Sequence, residues 1–221
     1  VASLARFEEE LARALEGVPG LRISPEAIQA MAALDAMLVR WSAKFDLVGF
    51  RSAEERIRRY FAEPLAATLR LGDPAAALDI GSGGGSPALP LALCRRPLRF
   101  TLLEPRRRRA LFLEEAVREL GLENVSVRSE RFERCEREEA FGLVTTRGVR
   151  LKESWLEEVT KCLRPGGRFL WFSGESRLHE AAAVLSRRAG IRLQGPERLL
   201  PGGDGRLLVV EKGASGGECS T

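Results

Sequence analysis

The residues best suited to chemistry stand in one run, Asp79-Ile80-Gly81-Ser82-Gly83-Gly84-Gly85. A carboxylate closes a short apolar stretch, and glycines follow at alternating positions. Glycine tolerates left-handed backbone angles and leaves no Cβ between the main chain and a ligand. Glu104 stands 25 residues after Asp79 at the end of the next apolar stretch. A carboxylate there can accept hydrogen bonds from two ribose hydroxyls. Two cofactors fit such a loop. A dinucleotide wants G-x-G-x-x-G, with a helix N-terminus facing the pyrophosphate. Here the sixth position is Ser86, and Asp79 would repel phosphate. S-adenosylmethionine has no phosphate, and its ammonium and sulfonium are favoured by a nearby carboxylate. The loop reads as a methyl-donor site, with NAD as the second choice.

Those residues need a scaffold, and the hydrophobic pattern supplies one. Leu4, Phe7, Leu11 and Leu15 recur at helical spacing and stop at Gly17. Ser24-Pro25 opens a second helix with Ile28, Met31, Leu34, Leu38 and Trp41 along one face, so that Trp41 reads as core rather than as a base-stacking platform. Ser52 and Glu55 have capping-box spacing and start a third, which Pro64 should interrupt. From Ala75 the pattern changes to strands alternating with helices. Strands are expected over 76–80, 100–104, 124–128, 143–146 and 169–173, then over 191–194 and 206–211, with helices over 107–120 and 180–188. The predicted fold is α/β: a doubly wound, mostly parallel seven-stranded sheet of the class I S-adenosylmethionine-dependent methyltransferase type, under an N-terminal helical cap. Its ligand should lie at the carboxyl ends of the strands. The expected division is a cap over 1–72, a cofactor-binding core over 73–212 and a disordered tail over 213–221.

Composition narrows the remaining choices. In 221 residues, 44% are hydrophobic and 30% charged, enough to build a core and keep a polar surface. No apolar run approaches the roughly 18 residues a spanning helix needs. Glu8, Glu9 and Glu10 interrupt the place where a secretory signal would be apolar. The expectation is a cytoplasmic monomer with no membrane contact. Cys94, Cys135, Cys162 and Cys219 form no C-x-x-C pair, and His179 is the one histidine, so no metal site is expected. His179 reads as a surface residue on a late helix. Net charge is +4, and only four of the 35 basic residues are lysines. Arginines cluster at 56–59, 95–96 and 106–109, which suits a polyanionic partner, although codon bias explains much of the excess.

The motifs resemble those of the bacterial small-subunit ribosomal RNA guanine-N7 methyltransferases, the glucose-inhibited division protein B family, from about Ser24 to Lys212. Residues Asp79 to Leu91 match D-V-G-[ST]-G-x-G-x-P-G-[IL]-P-[IL], with Pro87 and Pro90 the most specific part. Thr101 to Leu113 matches T-L-[LI]-[DE]-S-x-x-K-R-x-x-F-L, which puts Arg108 and Arg109 on the family's basic pair. Leu122 to Glu130 matches the third-strand signature, Thr146-Arg147-Gly148 the S-R-A after the fourth strand, and Gly205 to Val210 the closing strand. The resemblance implies cofactor binding by Asp79, Gly81, Ser82, Gly83, Gly85, Glu104, Ser129, Glu130 and Arg147. It implies RNA contact by Arg59, Arg108 and Arg109, with ribosomal RNA or the small ribosomal subunit as partner. Departures fall at Tyr60, where the family has histidine, and at Glu63, where it has aspartate. Gly142 replaces the aspartate of F-D, and Ser173 the lysine of K-G. These positions are expected to line the substrate side.

Guanine N7 carries an in-plane lone pair and no proton, so it can attack a methyl sulfonium without a general base. Alignment alone can lower such a barrier by roughly 7–11 kcal/mol. The chain has neither the [DN]-P-P-[YF] of amine methyltransferases nor the Pro-Cys of cytosine-C5 enzymes after the fourth strand. Arg147 stands there instead, as the candidate catalytic residue. It could bond guanine O6, hold a phosphate or form a structural ion pair. The alternatives are a methyltransferase homologue with another substrate or lost activity, and an NAD-dependent oxidoreductase.

Overall fold

The computed structural model describes residues 4–45, 47–134, 140–149 and 153–213. Seven strands form one sheet: β1 (Ala76–Ile80), β2 (Arg99–Leu103), β3 (Val125–Arg128), β4 (Phe141–Arg147), β5 (Leu163–Ser173), β6 (Ile191–Arg198) and β7 (Arg206–Lys212). Their order is β3-β2-β1-β4-β5-β7-β6. The first five are parallel, and β7 runs antiparallel between β5 and β6. The order reverses between β1 and β4, and the crevice at their carboxyl ends is where an open α/β sheet accepts a ligand.

Residues of one strand feed both faces in turn. Leu207 and Val209 join one apolar cluster while Leu208 and Val210 join the other, as the two-residue period of a strand requires. Both faces are covered, so the central strands are mostly apolar, with Asp79, Thr145 and Thr146 among the buried exceptions. One face packs α1 (Leu4–Ala14), α2 (Pro25–Ser42), α5 (Ala88–Cys94) and α6 (Arg107–Glu119); the other packs α7 (Glu153–Cys162) and α8 (Glu175–Leu185). The α2 entry is the one read from Ser24-Pro25, and the Ser24 hydroxyl accepts the Ala27 N–H at 3.2 Å. No described helix is long and apolar enough to cross a membrane.

Two expectations need correction. Pro64 does not interrupt its helix. The chain runs as α3 (Ala53–Arg56), widens into a π turn over Ile57–Ala62 and resumes as α4 (Glu63–Ala67). Proline lacks the N–H for an ordinary helical bond, and the wider turn absorbs the mismatch. The last helix begins at Glu175, five residues before the expected start, with Gly174 as its extended N-terminal neighbour. The helix α7 was not anticipated. The expected tail after Gly213 lies outside the described residues, as do Cys135 and Cys219.

Candidate active site

The glycine loop leaves β1 at Asp79-Ile80 and is fixed from three sides. Gly81, Gly83 and Gly85 have φ of +68°, +55° and +99°, angles that side chains with a Cβ rarely adopt. A Cβ on Gly81 would lie 2.6 Å from Val149. One on Gly85 would strike Leu89 and the Tyr60 hydroxyl. Glu104, at the end of β2, is 3% exposed. Its Oε2 accepts the Gly83 N–H and its Oε1 the Arg106 N–H, each at 2.8 Å. The carboxylate therefore ties the loop to the start of α6 and keeps lone pairs for a ligand.

Asp79 is 1% exposed, and Thr145 donates to its Oδ1 at 2.5 Å. Its Oδ2 is buried without a partner, an arrangement that calls for a donor or a cation. Ser82 is buried and donates to the Asp79 carbonyl at 3.2 Å, so it shapes the loop from behind. Beside the loop lies a cavity of about 390 Å³ whose walls include Gly81, Glu104, Glu130, Arg109, Arg147 and Trp155. Asp79, Ser82, Gly83, Gly85 and Ser129 are not among its walls; Asp79 and Ser82 lie buried behind Gly81, and Ser129 is exposed just beyond the end of β3.

Arg147 closes β4 and belongs to two cavities at once. It borders the 390 Å³ cavity and a second of about 710 Å³, which Arg59, Glu63, Phe172 and Ser173 also line. Its Nη1 donates to Glu63 Oε2 at 2.6 Å, and its guanidinium sits 4.7 Å over the Phe172 ring. Its Nε and Nη2 are buried without partners. The ion pair exists, and two donors remain for a ligand. Sequence reasoning missed Phe172 and Thr145 as parts of this site, because each acts across a long chain separation that leaves no local pattern; Glu63 was expected on the substrate side, but not as the partner of Arg147.

The expected substrate-side departures divide. Glu63 and Ser173 line the larger cavity, and Arg177 donates to Ser173 Oγ at 3.3 Å, so a cation stands beside the missing lysine. Tyr60 does not face substrate. It is 1% exposed, and its hydroxyl donates to the Gly84 carbonyl at 2.6 Å beneath the loop. Burial pushes that hydroxyl well above the ordinary tyrosine value. Gly142 also lies elsewhere, since a Cβ there would stand 2.9 Å from Pro74 at the opposite end of the sheet. The three arginines assigned to RNA do not share one place. Arg59 is at the larger cavity and pairs with Glu55 at 3.1 Å, Arg108 stacks over Phe45, and Arg109 borders the smaller cavity. His179 is exposed on α8, its Nδ1 3.0 Å from the Glu175 carbonyl oxygen.

Burial pushes the Asp79 carboxyl up to about 6, and the Glu104 charge adds to it; Thr145, Ser82 and Arg147 pull the other way. Between pH 4 and 6 the folded chain thus holds a proton that the unfolded chain releases. Stability from this group falls as pH rises through that window, by roughly 3 kcal/mol. Urea unfolding of the ligand-free protein should show this loss relative to Asp79→Asn, whose curve lacks the contribution. Parallel curves for the two proteins would mean that Asp79 is ionised in the fold without cost.

Strand order, glycine loop and the two acidic strand ends together define a class I S-adenosylmethionine-dependent methyltransferase. A putative O-methyltransferase from Klebsiella pneumoniae superposes with a TM-score of 0.63 at 17% identity, over 93% of this chain and 96% of that one. A SAM-dependent methyltransferase from Aquifex aeolicus does so with a TM-score of 0.56 at 15% identity, over 71% and 92%. At sequence level, the family described as rRNA small subunit methyltransferase G, or GidB, matches residues 27–190. Ribosomal RNA small subunit methyltransferase G of Aromatoleum aromaticum is 32% identical over 95% of this chain and 99% of its own length. That of Roseiflexus castenholzii is 34% identical over 86% and 85%. The chain belongs to the rRNA small subunit methyltransferase G family.

Proposed function

We propose that this protein transfers the methyl group of S-adenosylmethionine to N7 of a guanine in small-subunit ribosomal RNA, acting as a cytoplasmic monomer. The observation that carries this reading is Arg147, set between the two cavities with two buried donors unused. The residues present fit the cofactor. Asp79 offers an unpartnered buried acceptor, Glu104 offers lone pairs beside the glycine loop, and Glu130 borders the same cavity. When bound, S-adenosylmethionine supplies a methyl group made electrophilic by its sulfonium.

The chain's own part is to position and to shape the field. Asp79 and Glu104 favour a cationic ligand, and Gly81 lets it approach the main chain. Glu63 and Phe172 hold Arg147 in place, so its unpartnered N–H groups can donate to guanine O6 from that position. No proton has to leave the nucleophile. Because a cationic ligand prefers ionised Asp79, affinity for S-adenosylmethionine should rise with pH through about 6. The same titration on Asp79→Asn should be flat; an equal slope would remove Asp79 from the binding site.

The function is tested by mass mapping of small-subunit ribosomal RNA from a strain lacking this protein. One N7-methylguanosine should disappear and return on complementation. Identical maps with and without the protein would overturn the reading.

A further inference from the structure

A third cavity, about 380 Å³, lies between the end of α2 and the start of α6. Its floor is Trp41, Phe45 and Leu47, and its rim is Arg106 to Arg109. Trp41 is only half-buried, yet it is held in place. Its indole N–H donates to Glu115 at 3.3 Å, and its ring packs edge-on against Phe112 at 5.6 Å. Phe45 lies 5.5 Å from Trp41 at 44°, so the two rings make a tilted platform. The Arg108 guanidinium stands 5.5 Å over the Phe45 ring.

Charge distinguishes this groove from the 710 Å³ cavity, whose walls mix arginines with Glu54, Glu55, Glu63 and Asp204. No carboxylate lines the aromatic groove among the described residues. Arg106, Arg107 and Arg108 are exposed; Glu104 takes the Arg106 main-chain N–H, but no described carboxylate pairs with the side chain of Arg106 or Arg107. They also open α6, whose first turn has no acidic residue, so helix dipole and side chains carry the same sign. Arg106 and Arg109 line the cofactor cavity as well, which makes the two sites adjoin. A ligand here needs repeated negative charge and a flat apolar face. Phosphates separated by bases have both, and only an unpaired strand can turn a base onto the floor.

We propose that this groove binds a single-stranded RNA segment, one base stacking on Trp41 and Phe45 while Arg106, Arg107 and Arg108 take the flanking phosphates. The inference rests on the RNA-methylating reading above and adds a subsite that positions the strand beside the cofactor cavity. Stacking and charge leave different signatures. A base stacked on an aromatic ring contributes affinity that salt does not screen, whereas each phosphate contact steepens the salt dependence.

The test is fluorescence anisotropy of a short labelled oligouridylate across a salt series, with inorganic polyphosphate, polyglutamate and an RNA duplex as competitors. Phe45→Leu should weaken binding about tenfold at unchanged salt slope. Arg107→Ala, on the surface and safe for folding, should lower the slope by about 0.7. Cofactor affinity should survive in both variants, which shows that they fold. Single-stranded RNA should outcompete the other three. Equal affinity in Phe45→Leu, or displacement by polyphosphate, polyglutamate or duplex as effective as by oligouridylate, would overturn the subsite. If the oligonucleotide results hold but the protein methylates no small-subunit particle, the methylation reading fails and the groove stands.

Discussion

Glu104→Ala is expected to weaken S-adenosylhomocysteine binding at least a hundredfold and to destabilise the ligand-free protein. Alanine removes an acceptor that already serves two main-chain donors, the Gly83 and Arg106 N–H groups. Each donor left without a partner costs about 1–3 kcal/mol, and the ligand loses a charged acceptor in the same step. The loop is the weaker partner, because Gly83 sits at φ +55° and its N–H has this anchor on the protein side. Glu104→Gln should fall between, since it keeps two heteroatoms but turns one into a donor facing another donor. Calorimetric titration and urea unfolding of the three proteins measure both effects. Stability lost with affinity kept within threefold would make Glu104 a loop anchor and nothing more.

That double duty was only half legible in the sequence. The acidic strand end followed from the apolar run before it, and β1 was read to the residue because both of its ends are marked. Ser24-Pro25 likewise announced α2, since capping is a local event. The errors came where distance in the chain decided the outcome. Pro64 stays helical because burial of Tyr60 and Phe61 inside the π turn, and of Leu65 and Ala66 beyond it, anchors the turn to the helix that follows. Tyr60, expected beside substrate, instead supports Gly84 from below. Arg108 and Arg109 are neighbours in sequence but about 100° apart around a helix. Both line the aromatic groove, but only Arg109 also borders the cofactor cavity. The aromatic platform was equally hidden, because Trp41 at helical spacing reads as core until α6 brings its arginines alongside.

The pair Arg147 and Glu63 gives the second large effect. Glu63 is 2% exposed, its carboxylate closed in by Gly205, where even a Cβ would collide with it. The Arg147 side chain is 19% exposed. Glu63→Ala leaves that guanidinium without its counter-charge in a mostly dry site, at a cost of about 3–5 kcal/mol. The cost falls if the side chain swings into the 710 Å³ cavity, but the donors then leave the position between the two cavities. Either way, methyl transfer to small-subunit particles should drop at least a hundredfold in single turnover. Glu63→Asp, the residue the family resemblance places there, keeps the charge one methylene farther away. It should retain the fold and most of the transfer, with Arg147 drawn off the Phe172 ring. Removing both partners separates the two roles. Glu63→Ala combined with Arg147→Ala should recover part of the lost stability, because no buried charge remains, while transfer stays absent. Recovery of transfer along with stability would show that Arg147 serves the fold and not the guanine. Urea unfolding of Glu63→Ala within about 1 kcal/mol of the parent would mean that the ion pair is solvated and contributes little.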